Sequence, residues 1–545
     1  MKCIAAIAVD LTRSPLGTRS HLAAPLCGTP ILRRTIDRIV RTPGLASIHL
    51  LTPIDQVDQV RALVSGQPVE VETHRANPPP YQALVRAGRW WGLDSWRGGV
   101  GGLTVYDEDI DVELLGALAA QAEADAVLAI PAAAVLADPA LLDAMIRHHW
   151  ENRESARMTF VQAPPGLGAI ILSADLLKEL APTGQPPGVL LTYHPDRPLA
   201  DLTGKEACYR PSAAIIEASG RVLADTSESM RRLKLLLDSG AGDWSADQIA
   251  RWLTQQARVA GETPSEIEIE LTTDDPLPNS VLRPRGGAVV PRGPIRQSVI
   301  EAVLDGLTDR DDIRVVLGGF GEPCLHPALP EICTLLRSHA AVAAIALRTT
   351  ALFSPDQERL AESAETALFE TPVDVVEVML DAASPDVYQR VHGFNGYERA
   401  IARLDRWKNR RVQRQQVRPL LVPSFIKSRL NLADMERFYD LWQGRLGAAL
   451  ITGYSHCAGQ RPDYAVTSMA PPTRTLCRRV FKRSMVLADG RWVTCDQDFN
   501  GKQPVGIIGR QPLSLIWQSE ALASIRRGET AQLPLCPHCD QWHRP

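Results

Sequence analysis

Strand-like and helix-like hydrophobic patterns alternate along the first part of the chain. Residues 2–9 and 47–52 are apolar runs of strand length, and residues 31–40 repeat apolar side chains at helical spacing. Strands that alternate with helices in this order are typical of a parallel sheet with helices on both faces. The pattern predicts an α/β domain of Rossmann-like architecture over residues 1–240.

The alternation resumes after a helix pattern near residues 246–260, which predicts a linker helix within residues 241–262. Strand patterns are then followed by helix patterns at least four times between residues 263 and 475. The predicted strands cover residues 267–273, 343–350, 373–381 and 417–423, with helices at 329–338, 355–365 and 397–407. This order predicts a partial (β/α)6 barrel of the TIM type, with functional residues at the C-terminal ends of its strands.

Composition and charge narrow the functional class. The 545 residues are 45% apolar and 22% charged, with a net charge of −4, which is typical of a globular protein and gives no broad nucleic-acid surface. The apolar run at residues 126–137 is too short to cross a bilayer. Residues 1–9 lack the cleavage site of a signal peptide. We therefore expect a cytoplasmic protein that binds neither nucleic acid nor membrane.

Four of the ten cysteines lie after residue 476, in the order Cys477, Cys495, Cys536 and Cys539. The stretch before Cys495 reads as a hairpin with an Asp-Gly turn. In a reducing compartment, cysteines clustered in this way indicate a metal site and not disulfides.

The spacing of these cysteines resembles the SPASM domain that follows the barrel in many radical S-adenosylmethionine (SAM) enzymes. Cys477 is followed by twelve residues, Gly490, four residues and Cys495, and a C-x2-C pair follows at Cys536 and Cys539. The resemblance implies a small domain over residues 476–545 whose four thiolates hold one 4Fe–4S cluster. Zinc is the alternative, because four thiolates also suit a tetrahedral zinc site. His538 and His543 are predicted to be surface residues and not ligands.

The barrel region also resembles a radical SAM enzyme. Residues 315–323 read Val-Val-Leu-Gly-Gly-Phe-Gly-Glu-Pro, similar to the turn that contacts the SAM amino group in that family. Two later strand ends, Leu-Arg-Thr-Thr at 347–350 and the strand that ends at residue 381, resemble further family segments. The resemblance implies a cofactor-binding set of Gly318, Gly319, Gly321, Glu322, Thr350 and Asp381.

The chain departs from that family where the radical-generating cluster should be bound. The family's C-x3-C-x2-C cysteines correspond here to Asp275, Asn279 and Leu282. Leucine cannot ligate iron, and an asparagine amide is a poor ligand for a thiolate-based cluster. We therefore predict no cluster in the barrel. SAM stays a candidate cofactor, although it would lose the two bonds that the family's iron makes to its amine and carboxylate.

The first domain resembles the cytidylyltransferase-like nucleotidyltransferases that activate acidic sugars. Residues 24–32 read Ala-Pro-Leu-Cys-Gly-Thr-Pro-Ile-Leu, and residues 135–146 and 224–228 resemble two later segments of the family in the same order. The resemblance implies a GT-A-like nucleotidyltransferase fold.

The catalytic residues of that family do not carry over. Gly17 and His21 stand where the family has an Arg and a Lys, and Ala133 stands where it has a metal-binding Asp. Without a carboxylate to hold Mg²⁺ against the phosphates, nucleotidyl transfer loses its main electrostatic stabilisation. Arg13 and Arg19, with His21, could still bind an anion; the alternative is that they are solvated loop residues.

Two functional hypotheses follow, and neither assigns catalytic residues. The first is a noncatalytic relative of radical SAM/SPASM enzymes that binds a peptide, a sugar nucleotide or a partner protein. The second is an active enzyme, which either cleaves SAM with an unusual cluster site or transfers a nucleotidyl group to an acidic sugar. The second version of the enzyme would need rearranged metal ligands such as Asp10, Asp107 or Asp109.

Overall fold

A computed structural model of the chain describes residues 1–74, 79, 81–196, 205–256, 259–277, 279–371 and 373–544. The chain forms two compact units, Met1–Ala257 and Arg258–Pro545. In the described ranges, none of the helices is both long and apolar enough to span a membrane.

The first unit is built on one seven-stranded sheet and a small two-stranded one. Its strands are β1 (Cys3–Ala8), β2 (Pro25–Leu26), β3 (Thr29–Pro30), β4 (Ser47–Pro53), β5 (Glu70–His74), β6 (Ala126–Ala129), β7 (Met158–Val161), β8 (Ile170–Ser173) and β9 (Cys208–Tyr209). The large sheet has the order β5-β4-β1-β6-β8-β7-β9, and β2 pairs with β3. Strand β1 lies inside the sheet between β4 and β6, and residues 3–7 are each at most 3% exposed.

The predicted parallel sheet is only partly correct. Strands β5, β4, β1 and β6 are parallel, but β8 runs antiparallel to both β6 and β7. The connection between β7 and β8, residues 162–169, is shorter than the dozen or so residues that a parallel crossover needs. The chain therefore turns back on itself at this point and the sheet is mixed.

The helices of the first unit are α1 (Ile31–Ile39), α2 (Val57–Leu63), α3 (Gln82–Arg89), α4 (Val112–Gln121), α5 (Pro139–Glu151), α6 (Ala174–Leu180), α7 (Ala213–Glu217), α8 (Ser227–Asp238) and α9 (Ala246–Gln256). Helix α9 was expected to be a linker, but Ile249, Ala250 and Leu253 are buried in the core of this unit. Asp138 accepts hydrogen bonds from the backbone of Ala140 at 3.0 Å and of Ala246 at 2.7 Å, so one carboxylate caps both α5 and α9. Residues 257–258 of the predicted linker lie outside the described residues.

The second unit is built on a nine-stranded sheet. Its strands are β10 (Glu266–Glu270), β11 (Ile313–Gly318), β12 (Val342–Thr349), β13 (Val375–Met379), β14 (Leu420–Lys427), β15 (Leu450–Gly453), β16 (Arg483–Val486), β17 (Arg491–Val493) and β18 (Pro504–Ile507). Strands β10 to β15 are neighbours in sequence order and all parallel, which is the strand order of a partial (β/α)6 barrel. Strand β16 pairs with β10 on the other side and continues into the antiparallel β17 and β18.

The helices of the second unit are α10 (Gln297–Asp305), α11 (Leu329–Ser338), α12 (Glu358–Phe369), α13 (Pro385–His392), α14 (Tyr397–Gln413), α15 (Met435–Leu446), α16 (Leu513–Trp517) and α17 (Glu520–Arg527). Helices α10 to α15 occupy the connections between the six parallel strands, and α16 and α17 follow β18. The hairpin of the C-terminal segment thus extends the sheet of the barrel.

Candidate functional sites

The four predicted metal ligands line one cavity. Cys477 precedes a short turn at Arg479–Phe481, Cys495 follows β17, and Cys536 and Cys539 flank a single helical turn. All four border a cavity of about 460 Å³. Three segments that are distant in sequence therefore bring thiols to one place.

Hydrogen-bond donors from the chain approach two of the sulfur atoms. The side-chain amide of Gln503 lies 3.7 Å from Sγ of Cys536, and the backbone N–H of Gln541 donates to Sγ of Cys539 at 3.3 Å. Arg474 donates to the backbone oxygens of Cys536 and Pro537, which fixes the turn between the C-x2-C cysteines. Donors of this kind stabilise the sulfur ligands of iron–sulfur clusters.

Both acidic and basic groups lie around the thiol cavity. Burial, together with the nearby Cys477 and Asp540, raises the pKa of Cys539 to about 11. Burial likewise holds the pKa of Cys495 well above its ordinary value. Arg479, which forms an ion pair with Asp496, is close enough to interact with the charges of Cys477, Cys495 and Cys539.

His538 is exposed, as expected of a surface residue, whereas His543 is partly buried. Neither belongs to the described lining of the thiol cavity. Cys457 was missed by the sequence analysis: it is buried, its charge interacts with that of Cys539, and Ala458 beside it lines the cavity. No spacing rule could have identified it.

At the C-terminal ends of the barrel strands, the structure brings Glu322 and Thr350 together. The carboxylate of Glu322 accepts hydrogen bonds from the backbone N–H and the hydroxyl of Thr350, both at 2.7 Å, and from the backbone of Cys324 at 3.1 Å. Glu322 and Thr350 are 0% exposed. Both carboxylate oxygens of Glu322 are thus already used within the chain.

The glycine turn before Glu322 allows the ends of β10 and β11 to approach closely. Gly319 has a φ of +82°, and a Cβ there would lie 2.6 Å from Cβ of Glu270. A Cβ on Gly321 would lie 2.3 Å from the backbone oxygen of Thr272. Gly318, the third predicted glycine, ends β11 and is less crowded, since its Cβ would lie 3.1 Å from the carboxylate of Glu268.

Asp381 lies in a separate polar group. It accepts two hydrogen bonds from the guanidinium of Arg283, at 3.0 and 3.1 Å, and one from the backbone of Ile426 at 2.6 Å. Nε2 of the buried His392 lies 3.6 Å from its carboxylate. Burial lowers the pKa of His392 to about 4 although Asp381 opposes this shift, so the imidazole is neutral at pH 7.

The residues that stand in place of the family's barrel cysteines have other surroundings. Asp275 forms an ion pair with Arg285, and the two side chains are 1% and 2% exposed. Leu282 packs in a small apolar cluster with Val391 and Tyr454, and Asn279 is exposed.

A cavity of about 360 Å³ in the first unit collects most of the residues that the sequence analysis singled out there. Asp10, Arg13, His21 and Asp109 all line it, and so does Ala133. Arg19 lies outside the described lining and forms a backbone bridge with Arg13.

Asp107 and Asp109, two of the three carboxylates considered as metal ligands, have different surroundings. Asp107 also borders the cavity, but its carboxylate accepts hydrogen bonds from Thr104 at 2.6 and 2.9 Å and from the backbone of Gly188 at 2.5 Å. Burial, together with the negative charges of Glu108 and Asp225, raises the pKa of Asp109 to about 8. Within the described residues, Asp10, Asp107 and Asp109 do not bring three ligand atoms within 4.8 Å of one another.

Comparison with known families identifies the C-terminal segment. Residues 477–540 match the SPASM family, an iron–sulfur cluster-binding domain. This match confirms the type of domain that the cysteine spacing predicted and includes all four cysteines. The family covers only this segment of the chain.

Relatives of known sequence or structure are distant. The chain is 24% identical over 312 residues to an uncharacterized protein of Treponema pallidum (strain Nichols), an alignment that covers 55% of this chain and 85% of that protein.

Two of the similar solved structures align with about half of this chain each. BtrN in complex with AdoMet and 2-DOIA is 19% identical, covers 50% of this chain and 92% of its own, and has a TM-score of 0.33. A cytidylyltransferase from Leptospira borgpetersenii serovar Hardjo-bovis is 14% identical, covers 47% and 95%, and also has a TM-score of 0.33.

SuiB of Streptococcus suis bound to the precursor peptide SuiA is 11% identical, covers 55% and 80%, and has a TM-score of 0.40. Because all three TM-scores are below 0.5, these similarities do not establish a shared fold.

Proposed function

We propose that this chain is an iron–sulfur protein of the radical SAM/SPASM type that holds one 4Fe–4S cluster and does not carry out radical SAM chemistry. The proposal rests on a contrast between the C-terminal segment and the barrel. Four thiols line one cavity in the C-terminal segment, whereas Asp275, Asn279 and Leu282 take the cluster positions of the barrel. A bound cluster would supply structural support or one-electron transfer.

The separation of the thiols supports a cluster over zinc. Zinc–sulfur bonds of about 2.3 Å in a tetrahedral site place the sulfur atoms about 3.8 Å apart. Among the described residues, no three of the four cysteine thiols lie within 4.8 Å of one another. The cavity of about 460 Å³ that all four border is also larger than a single ion needs. We therefore assign the larger inorganic group to this site.

The surroundings of the barrel residues support the absence of radical SAM catalysis. Three arginines of one loop, Arg283, Arg285 and Arg292, form ion pairs with Asp381, Asp275 and Glu270. Such pairs are costly to break when buried, because separation leaves an uncompensated charge. Glu322 already accepts three hydrogen bonds within the chain, which leaves at most about one of its four acceptor positions for the amino group of SAM.

The role that fits these features is binding, and the cavity of the first unit is our proposed ligand site. Arg13 and His21 on its wall suit a phosphate, while Asp10 and Asp109 suit hydroxyl groups. A sugar nucleotide combines both groups, so we favour it as the ligand of this unit. A peptide or a partner protein is the ligand class that we assign to the second unit.

A second candidate function is nucleotidyl transfer in the same cavity. It is favoured by one observation, that Asp10 and Asp109 line the cavity together. Release of pyrophosphate from CTP in the presence of Mg²⁺ would support it, whereas binding of a sugar nucleotide without turnover supports the noncatalytic function.

Anaerobic reconstitution with iron and sulfide, followed by metal analysis, tests the assignment of the C-terminal site. We expect about four irons and four sulfides per chain, the content of one 4Fe–4S cluster. One tightly bound zinc per chain in protein purified without oxygen, with no uptake of iron, would contradict the proposal.

A further inference from the structure

Strand β5 forms one edge of the sheet in the first unit, next to β4. The two strands are parallel, with His49 opposite Glu70 and Leu51 opposite Glu72. Because side chains alternate between the two faces of a strand, Glu70 and Glu72 project on the same face, beside His49. This arrangement brings one imidazole and two carboxylates together at the edge of the sheet.

The three side chains converge closely. Nδ1 of His49 lies 2.6 Å from a carboxylate oxygen of Glu72 and 3.7 Å from one of Glu70. One ligand atom from each residue lies within 4.8 Å of the other two, the only such set of three among the described residues. These residues lie outside the cavity of the first unit and outside the thiol site.

The imidazole is held in a fixed orientation. His49 is 3% exposed, and its Nε2 lies 2.7 Å from the hydroxyl of Ser47. At 2.6 Å, Nδ1–H donates to the carboxylate of Glu72, and Nε2 accepts from the hydroxyl of Ser47. When an ion binds, the proton moves to Nε2, which then donates to Ser47, and the lone pair of Nδ1 is free to bind the ion. Metal-binding histidines are commonly oriented in this way by a hydrogen bond at the second ring nitrogen.

The charges at the site also call for a cation. Two carboxylates project side by side, and within the described part of the chain the one ion-pair partner of either is His49, which is charged only when protonated. The side chain of Glu70 is 66% exposed and that of Glu72 is 20% exposed, so the site opens to solvent on one side.

We propose that His49, Glu70 and Glu72 bind a divalent transition-metal ion of the zinc type. An imidazole with carboxylates suits such ions, whereas Mg²⁺ and Ca²⁺ prefer oxygen ligands alone. Bonds of about 2.0–2.2 Å in a tetrahedral site place neighbouring ligand atoms about 3.3 Å apart. The observed 2.6 and 3.7 Å lie on either side of that value, so small rotations of the two glutamates form the site.

The geometry leaves room for water as the fourth ligand, on the exposed side of Glu70. The bound ion would join the edge strand β5 to β4 through side chains, in addition to their backbone hydrogen bonds. It would thereby stabilise an edge that is otherwise held from one side only.

Titration with Co²⁺ tests the proposal on the full-length protein carrying its iron–sulfur cluster. Co²⁺ replaces zinc and reports its ligands by absorption. We expect one equivalent of Co²⁺ with ligand-field bands and no thiolate-to-cobalt charge-transfer band, displaced by one equivalent of Zn²⁺. A charge-transfer band would mean that cysteines bind the ion and would overturn the assignment to this site, whether or not the cluster is present.

Two variants identify the ligands. Glu70→Gln, at an exposed position, and Glu72→Gln should each weaken Co²⁺ binding by at least about tenfold. Glu154→Gln, another exposed glutamate of the same unit, should bind Co²⁺ as the unchanged protein does. Equal affinity in all three variants, or no Co²⁺ binding to the unchanged protein, would overturn the proposal. Iron content and circular dichroism confirm that each variant is folded.

Discussion

Single thiols determine whether the C-terminal segment can hold a cluster. Cys495 and Cys539 are partly buried, and their thiolate forms are unfavourable unless a cation compensates for the charge. Iron supplies the compensating positive charge. The hydrogen-bond donors of Gln503 and Gln541 further stabilise the negative charge on the sulfur atoms. Each of the four cysteines should therefore be needed for a stable cluster.

Replacement of Cys539 tests this dependence. In Cys539→Ser the cluster loses a thiolate, so we expect the iron content after reconstitution to fall to less than half that of the unchanged protein. Cys27→Ser is the matched control, because Cys27 is exposed and belongs to the first unit. Iron and sulfide analysis of both variants measures the effect. Full retention of iron in Cys539→Ser would contradict the ligand set.

His392 makes the stability of the second unit dependent on pH. Its pKa is lowered by burial to about 4 in the folded chain, against about 6.5 in an unfolded chain. Between these values the unfolded chain binds more protons, so stability is lost as the pH falls from about 6.5 to 4, by up to about 3 kcal/mol. Urea unfolding from pH 7 to 4 measures this loss.

The variant His392→Gln separates this residue from other titrating groups. It should be less stable at pH 7 because the buried hydrogen bonds of the imidazole with the hydroxyl of Ser280 and the backbone oxygen of Leu380 change. Its stability should nevertheless fall less steeply below pH 6.5. His339→Gln serves as the control and should keep the slope of the unchanged protein. An identical slope in His392→Gln would show that other groups cause the dependence.

At the scale of elements, the turn after β11 depends on close approach to β10. In Gly319→Ala the alanine would have to keep the φ of +82°, and its Cβ would collide with Glu270. We expect a loss of about 2–4 kcal/mol in the free energy of unfolding. Gly444→Ala is the control in helix α15, where a Cβ meets no atom of the described chain within 4 Å. It should stabilise the protein by about 0.5–1 kcal/mol. Urea denaturation of both variants gives the comparison, and equal stability would contradict the crowding at Gly319.

Hydrophobic patterns were sufficient to locate most elements of the barrel. Helix α11 covers Leu329–Ser338 as predicted, and β12 covers Val342–Thr349 where residues 343–350 were expected. These elements have regular periodicity and clear boundaries in the sequence. The antiparallel direction of β8 was not predicted, because strand direction depends on connection length and pairing, which periodicity does not reveal.

At the scale of the whole molecule, the two units have separate hydrophobic cores. The main core of the first unit ends at Leu253, and the core residues of the second begin after residue 259. We expect residues 1–256 and residues 259–545, expressed separately, each to fold with the far-ultraviolet circular dichroism of its part. The second fragment should bind as much iron as the full chain. An unfolded second fragment would show that the units depend on each other.

The sequence did not predict the contacts between distant segments that build the sites. The ion pair of Arg283 with Asp381 joins residues 98 positions apart, and neither residue type nor spacing predicts it. The group formed by His49, Glu70 and Glu72 depends on the register of two strands. By contrast, the spacing of the four cysteines was enough to predict that they lie together, and they do line one cavity, because a metal site restricts both residue type and spacing.

The central claim is that this chain holds one cluster and generates no radical. The most direct test measures iron and 5′-deoxyadenosine in the same anaerobic sample, after reconstitution and reduction with dithionite in the presence of SAM. We predict about four irons per chain and no 5′-deoxyadenosine above the level of a sample without protein. About eight irons per chain together with formation of 5′-deoxyadenosine would contradict the account.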